Sequence, residues 1–133
     1  MEDSQSLKVL DRSHLLAMTG NDTELAAEVL EIFREQAAVW DRLLDPTAAA
    51  QQWADAAHTL KGAALGAGAL RLAKACEVAE TAGRADIAPS QTAASVYLND
   101  IKDALGAALE AVATAHHEIS ATGALVPSKD PYS

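Results

Sequence analysis

A single cysteine, Cys76, excludes an internal disulfide, and aromatic residues make up only 4% of the 133-residue chain. The first absence fits a reducing compartment. The second, with few β-branched runs, argues against a sheet core. Basic residues are also scarce: 10 Lys and Arg stand against 19 Asp and Glu, a formal net charge of −9. A phosphate backbone repels such a surface, so nucleic acid is not an expected partner. The charge reads most simply as solubility. No stretch is long and apolar enough to span a bilayer. Met1-Glu2-Asp3-Ser4 is acidic with no apolar run behind it, unlike a secretory leader. A cytoplasmic protein with no membrane partner is expected. No glycine-rich nucleotide loop of Walker type is present. The only histidines are His14, His58, His116 and His117, and no His-x-x-x-His spacing occurs among them. No cofactor and no resident metal are expected.

What is present is helix-forming. Hydrophobic residues reach 50%, mostly Ala, Leu and Val, and Ala is the best helix former. The length fits one domain with a core of its own. A short helix is expected from Asp11 or Ser13 to Met18, then a turn at Thr19-Gly20-Asn21-Asp22. Asn21 with Glu24 resembles a capping box opening a helix over Thr23 to Leu44. Its apolar stripe reads Leu25, Val29, Ile32, Phe33, Gln36, Trp40 and Leu43. Asp45-Pro46 ends it, with Pro46 at the first position of a helix running to Gly66. A fourth helix covers Ala69 to Ala82, with Gly83 just past its end and Leu72, Cys76 and Ala79 facing inward. The last runs from Ser90 to Glu118 and buries Leu98, Ile101, Leu105, Leu109 and Val112. The expected fold is all-α: an antiparallel four-helix bundle with a short N-terminal capping helix over 1–121. Met1 to Ser6 are expected to be loose, and 122–133 to form an irregular tail with Gly123, Pro127 and Pro131.

On a helical wheel, Trp53, Ala56, Leu60, Ala63, Ala64 and Ala67 cluster on one side, and His58 lies about 160° from Leu60. His58 therefore points away from the core. Lys61, Gly62 and Leu65 share its face. A neutral imidazole accepts a phosphoryl group when one ring nitrogen is free. Lys61 can steady the charge on transferring oxygens. Gly62 costs the helix roughly 1 kcal/mol against Ala, which makes sense if something approaches closely. Leu65 and Ala54 offer an apolar rim to a docking protein. Taken singly, each is better read as ordinary surface; on one face together they favour function. Asp55, one turn earlier, is a candidate acceptor for the other ring nitrogen. His116 and His117 read as surface residues near a helix C-terminus, and Trp40 and Trp53 as packing. Cys76 reads as a small buried residue, and Glu24, Glu28, Glu31 and Glu35 as a solvated face.

Ala57-His58-Thr59-Leu60-Lys61-Gly62-Ala63-Ala64 resembles the core motif of histidine phosphotransfer (HPt) domains. Gly68-Ala69 and Leu72 continue the likeness, and Cys76-Glu77 and Glu80 fall where that family ends its second bundle helix. Leu15-Leu16-Ala17-Met18-Thr19-Gly20-Asn21-Asp22, with Leu25 and Phe33, looks like its N-terminal region. Gly66-Ala67 departs from it, standing where many members carry larger residues. The resemblance implies an exposed phosphoacceptor His58, phosphorylated on Nε2, with Lys61 beside the phosphoryl group and Gly62 leaving room for the partner. It implies response-regulator receiver domains and a hybrid sensor kinase as partners, with Mg²⁺ and most of the catalytic apparatus on the receiver. A monomer is expected, since the motif helix offers one functional face. The competing reading is an HPt-like docking module that carries no phosphate; retention of His58, Lys61 and Gly62 argues against it. A sensor kinase's own histidine domain fits less well, because Thr59 stands where an acidic residue is usual.

Overall fold

The computed structural model describes residues 7–126; the expectations for Met1 to Ser6, Pro127 and Pro131 lie outside it. All regular structure in that span is helical: α1 (Arg12–Met18), α2 (Thr23–Leu43), α3 (Ala50–Ala67), α4 (Leu70–Gly83) and α5 (Gln91–Thr122). The four long helices form a closed ring, α3 packing on α2 and α4, and α5 on α4 and α2. Helix α1 caps α2 and α3. This is the expected antiparallel bundle with its short N-terminal cap. No helix among the described residues is long and apolar enough to cross a membrane.

Local chemistry sets the helix ends, in places differently from expectation. Asp22, not Asn21, caps α2, its carboxylate accepting from the Glu24 and Leu25 amides at 3.0 and 3.1 Å. Asn21 instead takes φ +62°, completing the turn that Gly20 begins at the same φ. Pro46 does not open α3. Asp45 folds onto the Thr47 amide and hydroxyl at 2.9 and 2.7 Å, and the helix starts only at Ala50. Helix α5 begins near the expected residue, capped by Ser90, and runs four residues past Glu118. Leu125 then returns to the core.

The α3–α4 corner turns on Gly68. Its φ is +86°, and a Cβ there would meet the Asp11 carbonyl oxygen at 2.7 Å. Only glycine satisfies both the left-handed conformation and that approach. The core expected on α3, α4 and α5 is largely observed: Trp53, Leu60, Leu72, Cys76, Leu98, Ile101, Leu105 and Val112 are buried, while Ala63 and Leu109 are only partly so. Helix α2 differs. It buries Ala26, Leu30, Phe33 and Ala37, and turns Leu25, Ile32 and Leu43 outward. Alanine lets helices approach closely, so Ala26 and Ala37 face the bundle beside Leu30 and Phe33, and much of the expected stripe lies on its flank.

Candidate functional site

His58 rides the outer crest of α3 because its neighbours Ala56, Ala57 and Leu60 turn inward and are buried. Its side chain is 60% exposed. The tight turn at Gly68 lays α4 back along α3, so residues equally far from Ala69 face each other. Glu80 stands as far after Ala69 as His58 stands before it. The Glu80 carboxylate meets the ring there: His58 Nδ1 lies 2.8 Å from Oε2. Lys61 Nζ donates to Oε1 at 2.8 Å, and Arg84 Nε donates to Oε2 at 3.2 Å. Arg84 also pairs with Asp55 at 2.9 Å, and Gln51 donates to Asp55 at 3.2 Å.

These contacts decide the protonation of the site. The Lys61 ammonium, then the Arg84 and His58 donors, lower the Glu80 carboxyl from 4.5 to about 2, against the opposing effect of partial burial. Glu80 is thus a carboxylate, which only accepts hydrogen bonds. It follows that Nδ1 carries the ring hydrogen. In the neutral ring Nε2 then keeps its lone pair, and no described residue bonds to it.

The structure brings His58, Lys61, Gly62 and Leu65 to one region. Lys61 is partly buried and tied to Glu80. Gly62 is exposed, and a Cβ there would meet nothing within 4 Å. Leu65 is 45% exposed. Ala54 is not on that rim: it is fully buried. Gly83 in α4 carries no side chain, so α4 closes over it; a Cβ on Gly83 would sit 2.9 Å from that of Ala54. Asp55 does not reach the ring, because Arg84 and Gln51 hold it. Glu80 and Arg84 went unassigned in the sequence reading, although symmetry about the Gly68-Ala69 turn pairs position 80 with position 58.

The remaining candidates lie elsewhere. His14 Nε2 bonds the Leu65 carbonyl at 2.8 Å. His116 lies 3.7 Å from Glu31, and His117 is exposed. Cys76 is buried, and burial pushes its thiol up to about 12, so it stays protonated. Among the described residues no three His, Cys, Asp or Glu side chains are grouped to hold a metal.

A helical bundle that presents a mid-helix histidine outward and grips its inner ring nitrogen defines a histidine-phosphotransfer class of protein. The chain belongs to the Hpt domain family, which it matches over residues 23–117. Among solved structures it is similar to the histidine phosphotransferase ShpA from Caulobacter crescentus, at 37% identity and a TM-score of 0.68. That likeness covers 86% of this chain and 97% of ShpA. No curated protein matches the chain.

Proposed function

We propose that the chain carries a phosphoryl group on His58 and exchanges it with aspartates of response-regulator receiver domains in a multistep phosphorelay. The observation that carries this reading is the His58–Glu80 contact at 2.8 Å. A carboxylate on Nδ1 directs the lone pair of the neutral ring to Nε2. In the proposed step that lone pair attacks the phosphorus of an aspartyl phosphate. The N–P bond forms as the P–O bond breaks, and the aspartate leaves as a carboxylate. The Nδ1 hydrogen stays on the ring, and Glu80 offsets the positive charge that the phosphorylated imidazole acquires. No proton has to be lost, so the same groups can carry the step in reverse.

Lys61 serves twice: it holds Glu80 in place and sets a cation beside the transferring oxygens. Gly62 leaves the receiver's loops room to bring their aspartate in line, and Leu65 supplies apolar contact at the rim. Positioning and charge account for the catalysis, with Mg²⁺ on the receiver rather than on this chain. The upstream donor is a hybrid sensor kinase, and the protein acts as a cytoplasmic monomer.

The test is phosphoryl uptake from radiolabelled, phosphorylated receiver domains, with wild type set against His58→Gln. Acid-labile, alkali-stable label on the wild type alone is the expected result. Receivers that bind but transfer no label would make the protein a docking module. A receiver panel that neither binds nor labels it would end both readings.

A further inference from the structure

Gly66 has no internal reason to be glycine. Its φ is not positive, and a Cβ there would meet nothing within 4 Å. Alanine would make the better helix. The same holds for Gly106 in α5, so open space alone decides nothing. The difference is what surrounds them. Gly66 walls a hollow of about 180 Å³ between α2 and α3, shared with Val29, Ile32, Phe33, Gln36 and Ala63. Space of that order holds a benzene-sized group. Four of those five neighbours are apolar, so the hollow suits a hydrocarbon side chain rather than a polar ligand.

Its position ties it to the site. Gly66 comes one turn after Gly62 on α3 and lies within about 80° of His58 on the wheel. Ile32, which lines it from α2, is 52% exposed, so the apolar ground reaches solvent at the opening. Farther out on α2, Glu24, Glu28 and Glu35 are exposed. An apolar hollow with carboxylates farther out on the same helix complements an apolar side chain flanked by basic ones.

We infer that this hollow receives one apolar side chain, bracketed by Lys or Arg, from the receiver domain that engages His58, and that Gly66 sets which receivers fit. The inference rests on the phosphotransfer reading. A large side chain at 66 fills the hollow and holds the partner off, a methyl group only in part, while the ring, Glu80 and Lys61 are untouched.

The experiment measures transfer from a phosphorylated receiver and labelling by phosphoramidate, a donor too small to need docking, in wild type, Gly66→Ala and Gly66→Leu. The Leu variant should raise the half-saturating receiver concentration about tenfold or more, with Ala between it and wild type. The rate at saturation and phosphoramidate labelling should stay near wild type. Ala strengthens the helix, so that variant reports even where Leu perturbs folding. Wild-type half-saturation in both variants overturns the inference and leaves the phosphotransfer reading standing. Equal loss of phosphoramidate labelling overturns it too, because the hollow would then support the histidine itself. A wild type that exchanges with no receiver overturns both.

Discussion

Glu80 is the residue on which the chemistry turns, since one carboxylate answers His58, Lys61 and Arg84. Glu80→Gln keeps the shape but removes the charge that balances the phosphorylated ring. A hydrogen bond to a charged group is worth about 1.5 kcal/mol or more, so phosphoryl uptake should slow roughly tenfold. Single-turnover labelling measures this. The same residue gives the protein an acid dependence. Its folded value of about 2 lies below the ordinary 4.5. Its stabilisation is therefore present above pH 4.5 and is lost as pH falls through about 2. Urea midpoints taken across that window should fall more steeply for wild type than for Glu80→Gln; parallel curves would refute the assignment. Sequence reasoning named Asp55 for this role because it sits one turn from His58. The nearer carboxylate in sequence lost to the nearer one in space, since Arg84 reaches across and holds Asp55 away.

At the scale of elements, small residues decide how helices meet. Gly83 is the sharpest case. A Cβ there would lie 2.6 Å from Trp53 Cζ3. Gly83→Ala should therefore destabilise the fold by about 1–3 kcal/mol through overpacking, although alanine favours the helix. Chemical denaturation tests this, and a gain in stability would show that Trp53 can yield. Asp22→Ala should cost about 1 kcal/mol by removing the α2 cap, and Asn21→Gly, which tolerates the φ of +62°, would match it only if Asn21 were the true cap. These cases show how far patterns could be read. Helices and their order followed from periodicity and stop signals, and so did the outward aim of His58, because Leu60 fixes the inner face of α3. The phase of α2 did not follow. Both of its sides carry apolar residues at helical spacing, and only packing reveals that the side with Ala26, Leu30, Phe33 and Ala37 faces inward. The burial of Ala54 was hidden for the same reason, since it depends on a glycine in another helix.

Across the whole molecule, the chain closes on itself. Arg12, next to the α1 cap, bonds Glu118 near the end of α5 at 2.6 Å and the Val126 carbonyl at 2.8 Å. Thr23 reaches the Gly123 carbonyl at 3.2 Å. Arg12→Ala should release this closure at a cost of about 1 kcal/mol or less and raise protease sensitivity after Thr122. Limited digestion checks it, and an unchanged digestion pattern would mean that Leu125 alone keeps the segment in place. The most closely packed pair of helices in the ring is α3 with α4. That hairpin, joined by a two-residue turn, also carries His58, Lys61, Glu80 and Arg84. Its contacts are close in sequence, which favours early formation during folding. Its amides should be among the last to exchange with deuterated water. The outer edge of the His58 ring thus meets solvent while the peptide group that bears it should rank among the most protected of the described residues. A receiver domain would dock against a surface already set, and exchange rates along α3 should change little when it does.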